Sequence, residues 1–406
     1  MKSLASKSFL SFQTADRNSQ TAARRQTEKF ISDKKIRVLR IAHASLTPAL
    51  RGRERGIAHA FPEVDLEVIT PPSWFESGVD VKTVPDDLFP VTTSCALFSK
   101  HMQLFAYDPR PIIDALRRHR PHIIDMDHEP YSVACAEILT LRNLYAPDVP
   151  IVMQTAQNIF KNYSPPFSVF ERRALKQVSA AYMCSETVRE ILEKKGFQKP
   201  MKIVPFGVNL EDFQMKKSEA SELPTIGFVG RMLPPKGLLL LADALAEIKD
   251  EKWRLLVVGD GEEREKFQRR LAGYGLLERA EIVGAVPYHE IPKYFQQMDV
   301  FVMPTFTTEK IREQFGRVLV EAMATGVPVI GSTCGAIPEV VGDAGLIFPE
   351  KDSEALGNAL RKMLRDADLR RKFSEAGRLR VEQNFTWKIV AEKIFGLYCQ
   401  VLERSV

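Results

Sequence analysis

From Arg37 onward, short apolar runs alternate with stretches whose apolar residues recur every three to four positions. The runs at 37–41, 66–69, 123–126, 151–153 and 181–184 are largely apolar, as in strands of a parallel sheet buried on both faces. Between them, 111–119, 133–143, 169–178 and 186–194 carry the helical period. Pro111 suits a first helical turn, and Ser185 is placed to cap the helix after it. Strand and helix in alternation predict a doubly wound sheet. At 201–213 a strand runs into a turn, and 214–224 is polar and irregular, as a linker would be. The alternation then restarts, with strands predicted at 225–229, 255–258, 281–283, 300–303, 327–330 and 346–348. Helices are predicted at 239–248 and 263–274. The expected fold class is therefore α/β, with two Rossmann-like domains in series at 34–213 and 225–386. Open parallel sheets bind ligands at the carboxyl ends of their strands, and both sets of ends can face one cleft. The amphipathic segment 387–406 is expected to form a helix that packs back towards the first domain.

Composition narrows this picture. The chain has 406 residues, 45% hydrophobic and 27% charged, which suits a globular protein of two ordinary domains. No run approaches the ~20 apolar residues of a membrane span. Residues 1–33 are rich in Ser, Thr and Arg and lack the apolar block of a signal peptide, so they are expected to be a disordered tail. Five scattered cysteines fit neither a disulfide framework nor a zinc spacing, which favours a reducing cytoplasm. The seven histidines form no metal-binding motif, and no metal or cofactor is expected.

The net charge of +5 is unevenly divided. Residues 1–213 carry 29 Lys and Arg against 24 Asp and Glu, and residues 214–406 carry 28 of each. No dense basic patch interleaved with aromatics is present, so a nucleic-acid partner is not expected. Weak peripheral attachment of the first half to an anionic membrane surface stays open.

Three groups of residues in the second half carry chemistry. Gly230 to Gly237 reads GRMLPPKG, directly after a predicted strand. Arg231 and Lys236 on that Pro- and Gly-stiffened loop suit a diphosphate, Arg as a fork and Lys as a point charge. A basic surface turn is the bland alternative; the loop is neither a Walker loop nor a dinucleotide loop. Glu313 and Glu321 are eight apart with Gly316 between them. Gly316 would stand near a helix N-terminus, where exposed amides favour an anion. A carboxylate accepts hydrogen bonds from a vicinal diol, as offered by a ribose or a hexose. Solvated helix charges are the alternative, but Glu321 lies among apolar residues, where a Glu needs a partner. The turns VGDG at 258–261 and EIVG at 281–284 could wall a flat base, and each alone is a weak signal.

Taken in order, GRMLPPKGLLLL, VVGDG, IVGAV and EQFGRVLVEAMATGVPVIGSTCGAIPEVV resemble the donor domain of family 4 retaining glycosyltransferases of the GT-B fold. The resemblance covers residues 225–390. It implies that Arg231 and Lys236 neutralise the diphosphate of a nucleotide sugar and that Glu321 binds the ribose hydroxyls. It places Glu313 at the sugar hydroxyls near the reacting carbon, the backbone of Gln314, Phe315 and Gly316 at sugar and phosphate, and Val283 near the base. The first half resembles the acceptor domain less closely, through IIDMDHEPYS at 123–132, Ser185 and PFGVNLEDF at 205–213. Two features depart from the family pattern. The loop after the first strand, HASLTPALRGR at 43–53, has the single Gly52 where many members carry a Gly pair. Thr155-Ala156-Gln157 stands where many carry Thr-x-His, and Gln cannot serve as a base. His128 is then the nearest titratable group, with a hydrogen-bonded structural histidine as the alternative.

The expected activity is transfer of a hexosyl unit from a nucleoside diphosphate sugar to a sugar, polysaccharide or lipid-linked acceptor, with anomeric retention and no metal. Its rivals are a sugar-nucleotide epimerase of similar architecture and a non-catalytic sugar-nucleotide-binding subunit.

Overall fold

The computed structural model describes residues 35–76, 79–216 and 223–404. The tail at 1–33 and most of the expected linker, 217–222, lie outside the described residues. Two sheets organise the chain. The first contains β1 (Ile36–Ala42), β2 (Val64–Thr70), β5 (Val91–Thr93), β8 (Ile123–Asp127), β9 (Ile151–Gln154), β10 (Ala180–Met183) and β11 (Met201–Ile203). Its strand order is β11-β10-β9-β8-β1-β2-β5. The pairs around β1 are parallel, with Ile41 opposite Ile69 on one side and Met126 on the other. Two small hairpins not foreseen from the sequence fill the stretch before β8: β3 (Ser73–Glu76) with β4 (Val79–Lys82), and β6 (Ala96–Leu97) with β7 (Ala106–Tyr107). Their strands are too short to show a period. The 43–53 stretch, read as a loop, already enters a helix at Gly52, which runs to Ala60.

The second sheet contains β12 (Thr225–Val229), β13 (Arg254–Val258), β14 (Ala280–Gly284), β15 (Val300–Met303), β16 (Val329–Ser332) and β17 (Gly345–Phe348), in the order β14-β13-β12-β15-β16-β17. Every pairing in it is parallel. The sheets are thus two Rossmann-like layers. The Leu238–Glu247 helix shows why the second core forms: Leu238, Leu241, Ala242 and Leu245 repeat at helical spacing and are fully buried against Ile226, Phe228 and Leu255. Burying such a side chain contributes about 1.5–3 kcal/mol. Trp253 joins this core with its indole N–H donated to the Ile248 carbonyl at 2.9 Å.

Helix starts follow local chemistry. The helix predicted from 111 begins at Pro109, with Asp108 accepting from the Arg110 amide as its cap. Ser185 occupies the position before the Glu186–Lys194 helix but makes no cap bond; its hydroxyl meets Thr187 Oγ1 at 3.0 Å instead.

By its internal contacts the chain divides into a first unit of 1–154, 165–181 and 391–406, and a second of 155–164 and 182–390. Inside the first unit, Arg40 on β1 is buried and fully engaged. It donates to Glu54 at 2.5 Å, Asp125 at 2.8 Å and Gln154 at 3.0 Å. The Trp387–Glu403 helix joins that cluster through Tyr398, whose hydroxyl donates to Asp125 at 2.5 Å, and Phe395 stacks on Phe61 at 3.9 Å.

Candidate active site

The 230–237 loop leaves β12 and is pinned by its backbone: Gly230 N–H donates to Val258 O and Met232 N–H to Asp260 O. The Met232 side chain is fully buried, which leaves Arg231 exposed on the loop's open side. Pro234–Lys236 make one 3₁₀ turn that Gly237 ends at φ 76°. A Cβ at Gly237 would lie 2.1 Å from the Pro304 carbonyl oxygen, so only glycine fits both the backbone and the space. The loop therefore presents its two cations from a fixed frame. Lys236 Nζ lies 2.7 Å from Glu313 Oε2, an ion pair that is half-buried.

Glu313 is held from several sides. Its carbonyl accepts from the Asn158 amide at 3.1 Å and from Ala336 N–H at 3.1 Å. A Cβ at Gly335 would sit 2.0 Å from that oxygen. Asn158, only 4% exposed, also donates to the Arg312 carbonyl at 3.0 Å, and Gln314 donates to Ala156 O at 2.8 Å. These contacts lie within the second unit. They stitch 156–158 to 312–314 although the two segments are about 155 residues apart.

A cavity of about 310 Å³ opens between these segments and the 230–237 loop, at the small end of the range for ligand sites. It brings together Gln157, Arg231, Lys236, Glu313 and Gln314 from the sequence-derived set. It adds Lys161, Lys310 and Arg312, which the sequence reading passed over. The run Lys310-Ile311-Arg312 directly before Glu313 was the available signal. Gln157 turns its amide to the Ile159 carbonyl at 2.5 Å.

The other predicted residues do not line this cavity. Glu321, on the Arg317–Ala324 helix, is 2% exposed; it accepts from the Tyr288 hydroxyl at 3.0 Å and pairs with Arg317 at 3.2 Å. Burial raises its carboxyl above the usual range, partly offset by Arg317 and by Tyr288. The Tyr288 phenol is pushed up in turn, by burial first and by Glu321 second. Gly316 occupies the N-cap position of that helix at φ 84°. Phe315 packs between Phe206 and Phe385. Val283 is half-buried on β14. His128 lies in the first unit, 4% exposed among the rings of His43, Phe105 and Tyr107, with Nε2 3.2 Å from the Tyr107 hydroxyl. Burial, then His43 and Arg40, hold its imidazole well below the ordinary histidine value, so it is neutral at pH 7. Among the described residues, no cluster of three or more His, Cys, Asp or Glu could hold a metal ion, and no helix is long and apolar enough to cross a membrane.

Two parallel Rossmann-like sheets in series make up the GT-B fold, and fixed cations stand beside an ion-paired glutamate in its second half. The family model for Glycosyltransferase Family 4 matches residues 57–212, and that for Glycosyl transferases group 1 matches residues 211–380. On these two adjoining matches the chain belongs to the family 4 glycosyltransferases. It is similar to a phosphatidyl-myo-inositol mannosyltransferase of Mycobacterium leprae, at 34% identity over 48% of this chain and 52% of that one. The chain spans about half the length of the curated relatives it matches. A glycosyltransferase of Rickettsia africae superposes with a TM-score of 0.71 at 18% identity, over 91% of this chain and 100% of that one. Anabaena Alr3699/HepE, solved in complex with UDP, gives 0.69 at 16%, over 89% and 98%. At such identities these structures speak for the fold.

Proposed function

We propose that the protein transfers a hexosyl unit from a nucleoside diphosphate sugar to a sugar, polysaccharide or lipid-linked acceptor in glycan or glycolipid assembly, with the anomeric configuration retained. The observation that carries this is the cavity in which Arg231, Lys236 and Glu313 converge. The relatives are transferases that build glycolipid and capsular polysaccharide, and a structural neighbour binds UDP.

In the reaction, the acceptor hydroxyl oxygen bonds to the anomeric carbon as the bond from that carbon to the diphosphate oxygen breaks. The electron pair leaves with the diphosphate, and its oxygen takes the acceptor's proton. Charge builds on the leaving group, and Arg231 and Lys236 stabilise it more in the transition state than in the ground state. The cations serve this charge without a divalent metal. Glu313, freed from Lys236 when phosphate takes the lysine, accepts hydrogen bonds from the sugar hydroxyls. Gln157 carries no titratable proton, which suits a mechanism whose base is the leaving phosphate. Glu321 stands for the ribose hydroxyls, replacing Tyr288 or Arg317 as partners. The site lies in the cytoplasm, where nucleotide sugars are made.

The test is a thermal-shift panel of UDP-, GDP- and ADP-sugars, followed by turnover with the donor that stabilises most. Arg231→Ala or Lys236→Ala should cut that turnover by roughly 100-fold without unfolding the chain. Wild-type turnover in either variant removes the assignment. Loss of activity in excess EDTA, with rescue by magnesium or manganese, refutes the metal-free route.

A further inference from the structure

The cavity carries more positive charge than one diphosphate needs. Five cations line it against a single carboxylate, Glu313. Lys236 already has Glu313 at 2.7 Å, whereas Lys161, Arg231, Lys310 and Arg312 have no carboxylate within 4.0 Å among the described residues. A donor diphosphate bears about one negative charge per phosphate, which Arg231 and Lys236 can match. Three like charges remain around a small cavity, where each repels the others unless an anion sits among them.

These three cations stand on braced backbone. Lys161 follows the segment that Asn158 ties to the Arg312 and Glu313 carbonyls. Lys310 lies within, and Arg312 directly follows, a turn closed by Thr308 N–H to Ile311 O at 2.8 Å and by Ile311 N–H to Thr308 Oγ1 at 3.0 Å. Glu313 joins the two groups of cations: its carboxylate meets Lys236, and its backbone is held with that of Arg312 by Asn158. With Glu313 at the transferred sugar and Arg231 and Lys236 at the leaving diphosphate, Lys161, Lys310 and Arg312 line the same cavity without a ligand assigned to them.

We propose that Lys161, Lys310 and Arg312 form a second anion subsite, which recognises a phosphate or carboxylate carried by the acceptor. The acceptor class is then an anionic sugar or glycan. This rests on the donor reading of the same cavity, and the experiment separates the two.

Full-length protein is saturated with UDP or GDP, whichever raises its melting temperature, and titrated by calorimetry with glucose 6-phosphate, glucuronate and neutral glucose. The expected result is binding of a charged sugar alongside the nucleotide with none of glucose, and the charged sugar that binds identifies the anion. The triple variant K161Q/K310Q/R312Q should weaken that binding at least about tenfold and change nucleotide affinity by less than about threefold. Charged sugars that bind only by displacing the nucleotide, or do not bind, overturn the proposal. So does a triple variant that loses nucleotide affinity in the same proportion, since all five cations would then form one diphosphate cradle. A parallel titration with UDP-glucose and UDP-glucuronate asks whether the anion belongs to the donor. Selective weakening of the glucuronate donor by the triple variant would overturn the acceptor assignment. Failure of both nucleotides to bind wild-type protein removes the donor reading, and this proposal with it.

Discussion

Asn158→Ala tests whether cross-bracing of the cavity matters to the chemistry. The side chain is 4% exposed, and its amide nitrogen donates to the carbonyls of Arg312 and Glu313 at 3.0 and 3.1 Å. Each neutral hydrogen bond contributes about 1 kcal/mol net, and a carbonyl left dry costs somewhat more. Losing both therefore weakens the junction by about 2–3 kcal/mol. Glu313 keeps its contacts with Ala336 N–H and Lys236, so the segment should loosen without detaching. Misplacing a catalytic group by even a fraction of an ångström is costly because attack needs near-contact geometry. Turnover with the best donor should fall roughly 10- to 30-fold while nucleoside diphosphate affinity changes little. Hydrogen exchange at 310–314 should quicken. Asn158→Asp should fare no better, since its oxygens would face carbonyls. Unchanged turnover together with unchanged exchange in Asn158→Ala would refute the bracing argument.

Three further outcomes are expected. Glu321→Gln should mostly raise KM for the donor, whereas Glu313→Gln should mostly lower kcat; unaltered nucleoside diphosphate affinity in Glu321→Gln would show the ribose assignment to be wrong. Glu137 is pushed up to about 7 by burial first, against the Tyr107 amide that lowers it, with Asp108 raising it further. A carboxyl raised on folding holds its proton more tightly in the native state, so stability should fall as pH rises from about 4.5 to about 7, by on the order of 1–2 kcal/mol after allowance for solvent screening. Glu137→Gln, whose oxygen can still accept from Tyr107 N–H, should flatten the urea midpoint over that window, and a parallel curve would count against the shift. Tyr398→Phe removes the bond to Asp125 and should lower stability by about 1.5–3 kcal/mol in urea unfolding; a change below 0.5 kcal/mol would show the bond to be idle.

How much of this was legible in the sequence depended on distance along the chain. Strands β12 and β15 match their predicted spans to the residue because TIGFV and VFVM are short runs bounded by Pro224 and Gly230 and by Asp299 and Pro304. Arg231, Lys236 and Glu313, which the cavity brings together, each sit in a local pattern, a stiff loop after a strand or a Glu before a glycine. Asn158 carried no local mark. Its role exists only when a partner about 155 residues away folds against it, as the Tyr288 contact of Glu321 does on a smaller scale. Arg40 was hidden for the opposite reason: it lies inside an apolar strand, and period reading passes over a lone charge whose partners Glu54, Asp125 and Gln154 come from other elements. The short hairpins β3–β4 and β6–β7 gave no period at all.

The first unit takes its last piece from residues that the ribosome adds after the whole of the second sheet. Until Ala391 and its successors emerge, Asp125 lacks the Tyr398 hydroxyl and Phe61 lacks the ring of Phe395. Domains usually fold in the order of their synthesis. Here the earlier-made sheet has to wait with an unfinished surface while the later one, whose strands β12 to β17 all lie between 225 and 348, can close first. A stalled or truncated chain would thus leave its oldest half exposed to aggregation or to holding chaperones. Ribosome-bound chains halted before residue 391 should show that half protease-sensitive and the second sheet protected once it has cleared the exit tunnel.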